Sequence, residues 1–92
     1  MELTRLRGQI DQIDDQLVAL FVQRMEVSAA IARYKQEYGM PIHVPAREQE
    51  KLAAVAQKSG DEMATYTQEL YKLLFELSRS YQTQLTGREE VL

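Results

Sequence analysis

The chain has no cysteine and a single histidine, His43. Without cysteine there is neither a disulfide framework nor a thiolate nucleophile, and one histidine cannot by itself build a zinc site, so metal and covalent-cysteine chemistry are set aside. Positive charge is also scarce. Eleven Lys and Arg against 14 Asp and Glu give a net charge of -3 and a pI near 5.1. The basic residues are dispersed, which argues against nucleic acid as a partner. No apolar run approaches the roughly 20 residues needed to cross a bilayer, and Met1 to Gly8 lacks the charged start and apolar stretch of a signal peptide. The expectation is a soluble cytoplasmic protein with no membrane partner. Only two prolines occur, Pro41 and Pro45, and they sit close together.

What the chain does have is helical periodicity. Apolar side chains recur at Leu3, Leu6, Ile10, Ile13, Leu17 and Leu20, then at Val27, Ile31 and Tyr34, in steps of three and four. This predicts one helix from about Thr4 to about Tyr38, ended by Gly39, with Pro41 and Pro45 holding an extended connection. A second helix is expected from Pro45, which suits the first helical position, to Ser59-Gly60. A third should begin near Asp61 or Glu62 and bury Met63, Tyr66, Leu70, Leu73, Leu74, Leu77, Tyr81 and Leu85. The tail from residue 86 to 92, "TGREEVL", is polar and expected to fray. With no strand signal and no internal repeat, the fold class is all-α, three helices in one domain spanning residues 1–92.

Helix length bears on assembly. A helix of about 34 residues is roughly 51 Å long at 1.5 Å per residue, whereas a compact globule of this chain length has a radius of gyration of about 12 Å. Two shorter helices cannot cover so long an apolar stripe. A second copy should lie against it, most simply in a two-fold homodimer with the long helices paired.

The stripe has one anomaly: the position that should fill its gap is Arg24. Alone, Arg24 reads as readily as a side chain that snorkels to solvent or fixes register as it does as a functional group. Lys35 lies eleven residues on, about 20° from Arg24 on the same face and about 16 Å along the axis, so the two cations can hold a small dianion between them. Alone, Lys35 would be an ordinary lysine near C-terminal carbonyls. Ser78 and Gln82, four residues apart on the third helix, add neutral hydrogen-bonding groups on one face, although either alone reads as a boundary residue. Arg47 and Glu48 occupy the first turn of the second helix beside free backbone N–H groups, a place that otherwise suits a solvated pair.

Four segments in order, "LRGQIDQIDDQLVALFVQR", "IARYK", "GMPIHVPAREQE" and "ELSRSYQ", make the chain resemble the all-α chorismate mutases of the bacterial kind over about residues 3–85. The resemblance implies three helices, an intertwined homodimer with active sites shared between chains, and rearrangement of chorismate to prephenate on the route to phenylalanine and tyrosine. It implies that Arg24 binds one carboxylate with Ser78 nearby, and that Arg7 of the second copy binds the other. Lys35 and Gln82 would donate to the ether oxygen, Glu48 would accept from the ring hydroxyl, and Arg47 would support that helix start. Arg24, Lys35 and Gln82 are therefore the expected catalytic set, with no cofactor and no metal. His43 has no role in this scheme and is expected to be an exposed linker side chain.

Val44 departs from the pattern, since the best-known bacterial members have aspartate there. That aspartate is understood to reach the substrate through its backbone N–H, which valine retains, but valine cannot cap the second helix. Two other readings stand beside this one. Isochorismate-pyruvate lyases resemble the mutases in scaffold but carry apolar residues where this chain has Glu48 and Ser78, and a non-catalytic helical dimerisation module would need only the long stripe.

Overall fold

The computed structural model describes residues 1–87 and contains three helices: α1 (Glu2–Glu37), α2 (Pro45–Ser59) and α3 (Ala64–Thr86). α1 begins without a side-chain cap. Glu2 in its first turn takes a hydrogen bond from Arg5, which holds the Glu2 carboxyl below its ordinary value. The helix closes where Gly39 adopts a φ of 65°. Met40 N–H then donates to the Lys35 carbonyl at 2.8 Å and Gly39 N–H to the Gln36 carbonyl at 3.4 Å, the paired bonds that a left-handed glycine permits at a helix end.

Pro45 opens α2 as expected, and Val44 precedes it without a side-chain cap bond. α3 starts two to three residues later than the periodicity predicted, because Gly60, at a φ of 85°, turns the chain and Met63 N–H donates back to the Gly60 carbonyl at 3.2 Å. Asp61 and Glu62 are spent in that turn. Thr86 is still helical, its hydroxyl donating to the Gln82 carbonyl at 2.8 Å, so it belongs to α3 and not to the tail. The fraying expected beyond Gly87 lies outside the described residues.

α3 packs against both other helices. The buried apolar side chains are Ala29 and Ala32 of α1, Ile42 of the connection, Leu52 and Val55 of α2, and Phe75 of α3. The two alanines let α3 approach α1 closely, and the Gln68 side-chain amide ties α3 to the Leu52 carbonyl of α2 at 3.3 Å. This is a small core.

The apolar stripe of α1 is not buried within one chain. Ile13, Leu17 and Leu20 are 60%, 55% and 62% exposed, and Leu3, Leu6, Ile10, Val27, Ile31 and Tyr34 are exposed with them. The face expected to be buried on α3 is also corrected. Met63, Tyr66, Leu70, Leu73, Leu77 and Leu85 are exposed, Leu74 and Tyr81 are half-buried, and the helix instead turns Phe75 and Gln82 inward. The physical reason is that each long helix carries two faces, one fitted to its neighbour in the chain and one that nothing within the same chain covers. The chain measures 55 × 26 × 18 Å with a radius of gyration of 16.3 Å. That exceeds the roughly 12 Å of a compact globule of this length. No described helix is long and apolar enough to cross a membrane.

Candidate functional site

A cavity of about 320 Å³ opens where all three helices and the connection meet. α1 supplies one wall with Arg24, Val27, Ser28, Ile31 and Lys35, at the three-and-four spacing that keeps side chains on one helical face. Ile42 and Val44 of the connection form the rim, α2 contributes Arg47, Glu48 and Lys51, and α3 contributes Phe75, Ser78, Arg79 and Gln82. The volume falls within the range of small-molecule pockets.

The α1 and α3 walls are joined by two hydrogen bonds. Arg24 Nη1 donates to Ser78 Oγ at 2.9 Å, and its guanidinium lies 5.8 Å from the centre of the Tyr71 ring. The guanidinium is thus positioned by a hydroxyl on one side and a π face on the other, a contact that favours a cation. Nearer the end of α1, Gln82 Nε2 donates to the Ser28 carbonyl at 2.9 Å, and Gln82 is only 6% exposed. A primary amide has two N–H donors, so this bond anchors the side chain and leaves a second donor.

Lys35 Nζ donates to the Ile42 carbonyl at 3.0 Å, fastening the connection over the end of α1. At the start of α2, the Val44 carbonyl accepts from Arg47 N–H at 3.1 Å and Glu48 N–H at 3.3 Å, so backbone bonds begin the helix where no side chain caps it.

Seven of the eight residues expected from the sequence therefore meet at one cavity: Arg24, Lys35, Val44, Arg47, Glu48, Ser78 and Gln82. Arg7 does not. It is exposed near the far end of α1, 17 residues and about 25 Å along the helix axis from Arg24. Arg47 lines the cavity but sends Nη1 to Glu50 Oε1 at 3.2 Å on the exposed surface.

Two details differ from the sequence reading. His43 is not an exposed linker side chain: it is 28% exposed, with Nε2 3.7 Å from Glu48 Oε1. Glu48 Oε2 is in turn engaged by Arg79, a residue the sequence reading passed over. A signal existed, because Arg79 is three residues before Gln82 and four after Phe75, spacings that share a helical face. The carboxylate keeps further acceptor capacity, since its two oxygens offer about four lone-pair sites. Ser28 was also missed. Its hydroxyl is small, and nothing in the apolar periodicity marks it.

The cavity thus presents cations at Arg24, Lys35, Arg47, Lys51 and Arg79, one carboxylate at Glu48 already paired to a cation, and neutral donors at Ser78 and Gln82. Such a site can bind and orient a small polyanion and donate hydrogen bonds to it. Among the described residues no cluster of three or more His, Cys, Asp or Glu side chains is gathered to hold a metal ion.

The chain is 47% identical over 53 residues to a T-protein of Enterobacter agglomerans, covering 58% of this chain and 14% of that protein. It is 41% identical over 49 residues to a bifunctional chorismate mutase/prephenate dehydratase of Aquifex aeolicus, covering 53% of this chain and 14% of the relative. A 4-amino-4-deoxychorismate mutase of Streptomyces venezuelae is 39% identical over 46 residues, half of this chain and 45% of that one. The chain therefore spans about a seventh of the two larger relatives and under half of the third. No solved structure matches it. Residues 6–83 match the chorismate mutase type II family, a span that takes in most of α1, all of α2 and every cavity-lining residue, and to that family the chain belongs.

Proposed function

We propose that the chain converts chorismate to prephenate by an intramolecular [3,3] rearrangement, serving phenylalanine and tyrosine biosynthesis. The observation that carries this reading is the convergence of Arg24 and Lys35 of α1 with Ser78 and Gln82 of α3 on one cavity. In the reaction one C–O bond breaks as one C–C bond forms within the same molecule, with no proton transferred and no nucleophile. The protein has two tasks: to hold a flexible dianion folded so that the reacting carbons meet, and to stabilise the negative charge that gathers on the ether oxygen.

Arg24 performs the first task at one carboxylate, its fork-shaped donor set fixing orientation as well as charge. Ser78 holds that guanidinium in place. Lys35 and the second N–H of Gln82 donate to the ether oxygen, and Glu48 accepts from the ring hydroxyl while Arg79 keeps its carboxylate in position. Val44 meets the substrate through its backbone, and Arg47 supports the start of α2 beside it.

The other carboxylate is bound by Arg7 of a second copy, in a homodimer with two shared sites. The exposed stripe of α1 supports this assembly, because contiguous apolar surface of that length is not typical of a monomer. The defining experiment mixes the purified protein with chorismate, follows loss of the diene absorbance and identifies the product. Prephenate is the expected product. No turnover of chorismate by a dimeric protein, or salicylate with pyruvate formed from isochorismate while chorismate is left unchanged, would refute the reading.

A further inference from the structure

Ser28 Oγ is buried with no hydrogen-bond partner, the one such side-chain atom found among the described residues. Ser28 is 6% exposed and lines the cavity. Buried hydroxyls in helices ordinarily return their proton to the carbonyl one turn back or find another acceptor, and leaving one unpaired destabilises the fold. Packing gives no reason for a hydroxyl here, since alanine already serves the same helix contact at Ala29 and Ala32.

Its position supplies the reason. Ser28 lies about 6 Å along the axis beyond Arg24 and about 10.5 Å before Lys35, within about 40° of both around the helix. It sits between the two cations on the same wall. Its own carbonyl anchors the Gln82 amide at 2.9 Å, so Ser28 and Gln82 line neighbouring parts of the cavity.

We propose that the Ser28 hydroxyl is a third donor to the oxygen on which negative charge collects, acting beside Lys35 and Gln82. This rests on the reaction proposed above. No bond to Ser28 forms or breaks: the hydroxyl keeps its proton and donates one hydrogen bond, which strengthens as the C–O bond lengthens. The bond missing in the empty protein is made to the substrate when the enclosed hydroxyl turns about χ1 into the cavity, and the destabilisation from the orphaned hydroxyl is relieved when the site fills.

The test uses full-length wild-type, Ser28→Ala and Ser28→Cys proteins, with thermal melting in the absence of substrate and steady-state turnover of chorismate. Ser28→Ala should melt at the wild-type temperature or above it, because an unpaired hydroxyl has been removed. Its kcat should fall about tenfold or more, with KM changed less than about twofold, as for loss of a donor to developing charge. Ser28→Cys keeps the volume but is a poor donor, so it should lose turnover as the alanine variant does. Unchanged kcat in Ser28→Ala with an active wild type would overturn the role of Ser28 and leave the proposed reaction standing, as would lost turnover accompanied by a lowered melting temperature. An inactive wild type would overturn both.

Discussion

Arg24 Nη1 donates to Ser78 Oγ at 2.9 Å, joining residues 54 positions apart and fixing the angle at which a guanidinium faces the cavity. The bond explains why a helix otherwise striped with aliphatic side chains carries a cation at this point. Arg24 stands where the stripe passes from the exposed face of α1 to the wall of a polar site, and its partner comes from another helix.

Lys35→Ala should lower turnover far more than it weakens binding. A preorganised donor aimed at developing charge contributes about 3 to 4 kcal/mol, so kcat should fall by roughly two to three orders of magnitude. Because Lys35 Nζ also ties the connection through the Ile42 carbonyl at 3.0 Å, a small loss of thermal stability should accompany it. A loss of turnover below about tenfold would remove Lys35 from the ether oxygen.

Gln82→Glu should shift activity to acid pH, whereas the wild-type profile should stay flat through neutrality because an amide needs no proton to donate. In the variant the carboxyl is buried opposite the Ser28 carbonyl, which accepts from Gln82 at 2.9 Å in the wild type. Burial and an opposing acceptor both favour the protonated form and raise the carboxyl pKa in the folded state. The native state then binds more protons than the unfolded one, so the stability of the variant should fall as pH rises through and above the ordinary carboxyl range. Rate and melting temperature against pH would check both. An unchanged rate profile would take Gln82 out of the reaction.

Arg79→Met should raise KM. Glu48 would lose the cation that engages it, with His43 left 3.7 Å away, and a less balanced carboxylate would then face a dianionic substrate. A change of roughly 1 to 2 kcal/mol, about a tenfold rise in KM, is the expected scale for a partly exposed charge in an aqueous cavity. Raising the salt concentration should narrow the gap between variant and wild type, because screening weakens the repulsion. A salt-independent KM would mean that Arg79 acts by packing alone.

Arg7 and Arg24 lie about 25 Å apart along one rigid helix and are turned by about 100°, so one chain cannot bring both to one small ligand. Arg7→Ala and Arg24→Ala proteins should each be nearly inactive, and co-refolding them should restore activity. Each mixed dimer regains one pocket with both arginines and leaves the other doubly defective. Random pairing makes about half the dimers mixed, so recovery should approach about a quarter of wild type. If subunit exchange is confirmed and the mixture stays inactive, the sites are not shared between chains.

The sequence alone determined the three helices, because the periodicity of Leu3 through Tyr34, the left-handed glycine at Gly39 and the proline at Pro45 are local signals that act within a few residues. It also marked Arg24, Lys35, Ser78 and Gln82, since polar residues at helical spacing beside an apolar stripe can be counted along a single helix. Only the tertiary structure decided which faces turn inward. Within one chain α1 buries Ser28, Ala29 and Ala32 and leaves its aliphatic stripe uncovered, because α3 packs against the small side chains. The engagement of Glu48 by Arg79, the place of His43 beside that carboxylate and the unpaired hydroxyl of Ser28 belong to the same category. Each depends on distances between groups on different segments or on the enclosure that the packed helices create, and those are fixed only when α1, α2 and α3 close around one cavity.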